Sequence, residues 1–212
     1  MSTGHVYESQ RSILADVAHV ILGLLMIAPQ TFYDLIKGFE ASVALFYSAS
    51  SGSIKRALDT LLARGFIEVA SIETGGRGRK VYRVTDAGRE EFRAWMTGEP
   101  TGPDLEKTAL SRLYFLGLVE PGERAPVLHR IVARIETDLA AFSALDKLLD
   151  TLDVPREQRD IAAHQRATLD YGMASLRFML DWFRDHLERY ESPGPLTRAD
   201  APPGVSDRRA RR

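Results

Sequence analysis

The sequence contains no cysteine, and this absence excludes several kinds of site at once. Without thiols the chain cannot form a disulfide framework, a cysteine nucleophile or a thiolate zinc site. The five histidines show no H-E-x-x-H spacing, and no G-x-S-x-G motif is present. We therefore expect no catalytic residues, no metal site and no cofactor.

Long hydrophobic runs are also missing. The longest apolar stretch, residues 17–28, is interrupted by His19 and is much shorter than the roughly 20 residues that a membrane span needs. Residues 1–12 lack the basic-then-apolar pattern of a signal peptide. The sequence predicts a cytoplasmic protein without a membrane partner.

The net charge of the chain is close to zero, but basic side chains are concentrated in one segment. The 212 residues include 28 basic and 29 acidic side chains, and 44% of the chain is hydrophobic, enough to bury a core. Residues 50–83 nevertheless carry seven basic and three acidic side chains. A local basic patch on a nearly neutral chain is typical of a surface that faces a polyanion.

Apolar spacing predicts three helices in the first part of the chain. The first helix follows Ser12 as its N-cap and ends before Pro29. The second carries apolar residues at helical spacing over residues 32–39. The third begins at the serines 50 and 51 and stops at Gly65, which fits the left-handed position of a Schellman end. Its predicted buried stripe comprises Ile54, Leu58, Leu61 and Leu62.

After Gly65 the hydrophobic period changes from 3.6 to 2. The alternation predicts two strands over residues 66–72 and 80–84, and the glycine-rich segment 73–79 between them is predicted to form the tip of a hairpin. Thr85 then caps a fourth helix. This order predicts a winged helix-turn-helix domain over residues 1–97, mainly α with a small β-hairpin wing.

The second half of the chain shows helical periodicity only. Residues 98–103 have the composition of a linker, residues 104–191 form a helical domain, and residues 192–212 have the composition of a disordered tail. Two long helices in this domain carry heptad-like apolar seams that one helical pair cannot fully bury. The seams therefore predict an α-helical dimerisation domain.

The candidate DNA-binding residues lie at the start of the third helix and on the hairpin. A helix N-terminus favours phosphate, and cationic side chains next to it reach backbone or base edges. Glycines between the hairpin arginines allow close approach to DNA, where arginine can enter a narrow minor groove. The candidates are Ser51, Ser53, Lys55, Arg56, Arg77, Arg79 and Lys80.

The sequence resembles the PadR-like transcriptional regulators over roughly residues 12–190. The stretches that carry the resemblance are LGLL (22–25), PQTFYDLI (29–36), FYSASSGSIKRAL (46–58), LLARGFI (61–67), GRGRKVYRVTDAG (76–88) and LYFLG (113–117). Lys55-Arg56 replaces the Tyr-Pro that usually follows in this family, which makes the third helix more basic. Thr31-Phe32 replaces the expected His-Gly.

The resemblance implies a homodimeric regulator, usually a repressor, that pairs through its C-terminal helices. It also implies release from a palindromic double-stranded DNA operator when a small-molecule effector or another signal arrives. A helical adaptor that uses the winged helix for protein contacts is the alternative. A stripe of aromatic and methionine residues in the last helix is interpreted as core, with a ligand cavity as the alternative. The stripe comprises Tyr171, Phe178, Met179, Trp182 and Phe183.

Overall fold

A computed structural model of the protein describes residues 17–73 and 79–192. The predicted cap Ser12 and the tail beyond Ser192 lie outside the described residues. The described part of α1 covers residues 17–27. It is followed by β1 (Gln30–Thr31), α2 (Phe32–Ala41), α3 (Ser51–Ala63), β2 (Ile67–Glu73), β3 (Arg79–Val84) and α4 (Asp86–Thr97). The helical part comprises α5 (Leu105–Tyr114), α6 (Pro121–Leu149) and α7 (Arg159–Glu191).

The three strands form one antiparallel sheet in the order β1-β3-β2. Val84 lies opposite Ile67 on one side of β3, and Tyr82 lies opposite Gln30 on the other. The two long strands match the predicted hairpin, whereas β1 was not predicted. The two residues of β1 show no alternation of their own and become a strand only by pairing with β3, some 50 residues later in the chain.

One continuous apolar core joins the winged helix to the helical part. Ile21 and Leu35 of the winged helix are fully buried in it, as is Leu128 of α6. Phe115, just after α5, packs edge-on against Phe92 of α4 with ring centroids 5.8 Å apart. The core thus fixes α3 and β3 on the same body as the C-terminal helices. None of the described helices is both long and apolar enough to cross a membrane.

The two long C-terminal helices are buried at one end only. At 1.5 Å per residue, the 29 residues of α6 and the 33 of α7 extend about 43 Å and about 50 Å. Buried positions in α6 stop at Ile135, and those in α7 begin at Met173. We call residues 136–172, none of which is buried, the distal arm.

The aromatic stripe of α7 is core in part and exposed in part. Met179 and Phe183 are buried, as expected of core residues. Tyr171 and Phe178 are 76% and 73% exposed and Trp182 is 37% exposed, so the interpretation as core is wrong for these three. The seven-residue step places Tyr171 and Phe178 on the side of α7 that this chain leaves uncovered.

Candidate nucleic-acid interface

The N-terminus of α3 presents polar and cationic groups to solvent because its apolar stripe is anchored in the core. Ser50 is the N-cap, and its Oγ accepts a hydrogen bond from the Ser53 amide at 3.2 Å. The buried residues of the helix are Ile54, Ala57, Leu58 and Leu61. The opposite face therefore points outward, and Ser51, Lys55 and Arg56 are exposed while Ser53 is half-buried.

The two cations of α3 differ in what they contact. Lys55 Nζ lies 2.6 Å from Asp59 Oδ2, one turn further along, and both side chains are more than half exposed. Such a surface pair is worth only about 0.3–0.5 kcal/mol, so a phosphate can replace Asp59 at little cost. Arg56 donates through Nη2 to Ser53 Oγ at 3.2 Å. Ser53 thus holds the guanidinium over the first turn of the helix.

The turn after α3 fixes the angle between this helix and the wing. Gly65 has a φ of +71°, and the Phe66 amide donates to the Leu61 carbonyl at 3.0 Å, which is the Schellman geometry that the sequence predicted. Thr85 Oγ1 donates to the Gly65 carbonyl at 2.7 Å. The Thr85 amide donates to the Phe66 carbonyl at 3.0 Å. The start of β2 and the start of α4 are therefore tied to the end of α3.

The wing places two of its three candidate cations in the open. Arg79 and Lys80 open β3 and are exposed. Arg79 pairs in register with Glu73, and Lys80 pairs with Ile72, so both lie at the tip end of the hairpin. Arg77 lies outside the described residues.

A third exposed feature, the N-terminus of α2, was not predicted as part of the site. Thr31 and Asp34 form a capping box, in which Thr31 Oγ1 donates to Asp34 Oδ2 at 2.7 Å. Hydrogen bonds from Thr31 lower the pKa of Asp34, and the positive charges of Lys37 and Arg79 lower it further. Tyr33 is 54% exposed, and Lys37 Nζ lies 4.6 Å from its ring centroid. The T-x-x-D signal of this helix start is visible in the sequence at residues 31–34.

The described residues contain no cluster of three or more His, Asp or Glu side chains able to hold a metal ion. What the surface does offer is donors: a capped helix N-terminus with Lys55 and Arg56, and the cations that open β3. These groups suit an anionic partner.

Two family models match the chain. Residues 21–94 match the transcriptional regulator PadR-like family, and residues 107–191 match the virulence activator alpha C-terminal family. Residues 21–94, the winged-helix half of the chain, belong to the PadR-like family of transcriptional regulators. This match contains α2, α3, β2 and β3, and the second match contains α6 and α7. The family is one of regulators, which agrees with the expectation that the chain is not an enzyme.

Two curated relatives are similar to this chain. The negative transcriptional regulator PadR of Bacillus subtilis is 28% identical over 107 residues, which are 50% of this chain and 59% of that protein. The probable transcriptional regulator Rv1176c of Mycobacterium tuberculosis is 30% identical over 86 residues, which are 40% and 45% of the two chains. The chain thus matches about half the length of these relatives.

Similar solved structures include two of Bacillus subtilis PadR. Its complex with operator DNA is 20% identical, covers 82% of this chain and 98% of that one, and has a TM-score of 0.38. Its complex with p-coumaric acid is 19% identical, covers 84% and 97%, and has a TM-score of 0.36.

Proposed function

We propose that this PadR-like protein is a sequence-specific DNA-binding transcriptional regulator that acts as a homodimer. The observation that carries the proposal is the exposed cationic surface formed by the capped N-terminus of α3 and the start of β3. Both elements are anchored in one core, so the surface is preorganised for a rigid duplex.

Each candidate residue has a proposed role on DNA. Arg56 reads a base edge or grips a phosphate in the major groove, and Lys55 exchanges Asp59 for a phosphate. Ser51 offers its hydroxyl and the helix N-terminus to the backbone, while Ser53 positions Arg56. Arg77, Arg79 and Lys80 contact the flanking backbone or minor groove. Tyr33 and Lys37, at the start of α2, extend this surface toward the neighbouring phosphates.

The distal arm supports dimerisation through the C-terminal helices. Leu145, Leu148, Leu152 and Ile161 are between 43% and 59% exposed in the single chain. Exposed apolar side chains at this density mark an association surface. A two-fold dimer presents two α3 helices to successive major grooves, about 34 Å apart, and so selects a palindromic operator.

We further propose that the dimer represses transcription and leaves its operator when a small molecule binds. The similar Bacillus subtilis protein is named a negative regulator, and its structures include one with operator DNA and one with p-coumaric acid. Because a regulator must share a compartment with its operator, we expect this chain to act in the cytoplasm.

Selection of bound sequences from a random DNA pool by the purified protein tests the proposal. We expect a palindromic consensus. The affinity should fall steeply as the salt concentration rises, because the Lys and Arg side chains of the protein release counterions from the DNA when they bind it. An absence of salt-dependent DNA binding would refute the proposal and favour the adaptor alternative.

Replacing Arg56 tests the role of α3. Arg56→Ala is expected to cost about 1–3 kcal/mol on the selected operator and less on random DNA, because a base contact adds specificity. Arg64→Ala is the matched control, since Arg64 follows the other end of the same helix and lies 5.0 Å from the Phe66 ring. An equal loss of affinity for the operator and for random DNA would show that Arg56 contacts only phosphate. An equal loss of affinity in Arg56→Ala and Arg64→Ala would show that the N-terminus of α3 is not part of the interface.

A further inference from the structure

A groove in the helical part of the chain has the size and the lining of a ligand site. It has a volume of about 1070 Å³ and lies between α5 and α7, with Phe142 of α6 at one wall. Leu110, Met179 and Phe183 contribute to its apolar lining. The exposed aromatic residues Tyr171, Phe178 and Trp182 also line it. Ligand sites are typically apolar and aromatic clefts with a few oriented polar groups.

The charged side chains that line the groove are all carboxylates. They are Asp104, Glu106 and Asp138. Glu106 is exposed and, within residues 17–73 and 79–192, forms no ion pair. Asp104 Oδ1 caps α5 by accepting from the Lys107 amide at 3.0 Å, and its Oδ2 lies 3.9 Å from Lys107 Nζ. Aromatic faces beside a free carboxylate favour a cation with an apolar body and disfavour an anion.

The third carboxylate connects the groove to the segment between α4 and α5. Asp138 Oδ1 accepts from Arg134 Nε at 2.9 Å, and both side chains are less than one third exposed. The same guanidinium donates to the carbonyl of Pro100 at 2.7 Å and to that of Gly102 at 3.3 Å. A cation that engages Asp138 therefore competes with the group that holds this segment.

We infer that the groove between α5, α6 and α7 binds a small organic cation with an aromatic or apolar body, and that this ligand is the effector of the proposed regulator. The regulatory half of the inference rests on the proposed function, whereas the binding half does not. Ligand binding draws Asp138 away from Arg134 and so removes the carboxylate that orients this guanidinium toward the carbonyls of Pro100 and Gly102. The segment between α4 and α5 then shifts, and the position of α4 changes.

A pair of ions with one shape and opposite charge tests the binding half. Calorimetric titration of the full chain should show tetraphenylphosphonium binding at least about 10-fold more tightly than tetraphenylborate, because the lining residues carry three carboxylates and one of them, Glu106, has no cation paired with it in the described part of the chain. Glu106→Gln should weaken tetraphenylphosphonium binding about 5-fold, the order expected for loss of one charge a few ångströms away in a partly solvated site. Glu136→Gln is the matched control, since Glu136 pairs with Arg184 and does not line the groove.

Equal binding of the two ions, or equal effects of the two glutamate variants, would overturn the inference. It would also be overturned if neither ion bound and Phe178→Ala weakened the dimer in sedimentation equilibrium, because the groove would then be a contact with a second copy of this chain.

The regulatory half is tested with Arg134→Met and operator DNA. This variant leaves Asp138 without its cation, so tetraphenylphosphonium should bind more tightly while its effect on DNA affinity disappears. An unchanged effect of the ion on DNA binding would overturn the connection through Arg134. DNA binding measured without either ion tests the proposed function separately, so each half can fail on its own.

Discussion

The approach of α4 to the end of α3 predicts a large cost for adding one methyl group. A Cβ built on Gly88 would lie 2.0 Å from the Phe66 carbonyl oxygen and 2.8 Å from Val84 Cγ2. The first atom belongs to the backbone, which cannot rotate away as a side chain can. To restore van der Waals distance, α4 must move by more than about 1 Å, and interior packing tolerates such shifts poorly.

That movement has identifiable costs. The Thr85 amide donates to the same Phe66 carbonyl, and Phe92 and Met96 of α4 are fully buried. We therefore expect Gly88→Ala to lower the free energy of unfolding by about 3–5 kcal/mol, beyond the usual range for one substitution. Because Gly88 also fixes the wing relative to α3, operator affinity should fall at temperatures where the variant is still folded.

Urea denaturation followed by circular dichroism measures the effect, and Gly122→Ala provides the control. Gly122 lies in the first turn of α6, and nothing lies within 4 Å of its added Cβ. Since alanine is the better helix former, this variant should gain about 0.5–1 kcal/mol. Overpacking predicts a large loss for Gly88→Ala. A free energy of unfolding within about 1 kcal/mol of that of the original protein would therefore refute the steric reasoning.

Two further predictions concern one buried and one half-buried ionisable group. Arg112→Met should lower the free energy of unfolding by about 2 kcal/mol, because two main-chain carbonyls lose a charged donor, and an unchanged urea midpoint would contradict this. For His186, burial and the nearby Arg189 lower the pKa, so the folded state binds its proton less readily than the unfolded state does. The contribution of His186 to the free energy of unfolding should therefore be fully present above a pH of about 6.5 and be lost as the pH drops below that value. His186→Gln should flatten this dependence in urea titrations between pH 7.5 and 5.5, and an equal slope in both proteins would exclude His186 as its source.

The predictions from sequence succeeded where the signal and its structural consequence are neighbours in the chain. Ser50 and Thr85 cap α3 and α4, and Gly65 ends α3 with a positive φ, as expected. Each of these effects depends on hydrogen bonds that reach only three to five residues along the backbone.

The predictions were incomplete where a distant segment decides the outcome. Periodicity places Tyr171 and Phe178 on one line of α7, but whether that line is covered depends on residues far away in the chain or on another molecule. The carboxylates Glu106 and Asp138 are 32 residues apart and come together only because α5 and α6 pack on each other. The aromatic stripe of α7, for which a ligand cavity was the alternative interpretation, is thus the part of the groove that the sequence indicates, whereas the carboxylates have no local signature.

The segment that was predicted as a linker from its composition explains how the two halves can communicate. Glycine and proline leave its carbonyls without partners in a helix or strand, and two arginines supply the donors. Arg112, only 2% exposed, donates to the carbonyls of Gly98 at 2.7 Å and Glu99 at 3.1 Å. Arg134 donates to those of Pro100 and Gly102. Burial lowers the pKa of Arg112 to about 10.

The same arginine also contacts the winged helix directly. Its guanidinium lies 5.6 Å from the ring centroid of Trp95 in α4, and Trp95 stacks on His19 of α1 with centroids 4.9 Å apart. If α5 or α6 moves, residues 98–103 cannot change conformation independently to compensate. The buried guanidinium of Arg112 would then lose the carbonyls of Gly98 and Glu99 and be left without acceptors in a site that water does not reach. The displacement must instead move α4, and with it the hydrogen bonds of Thr85 that orient the wing against α3.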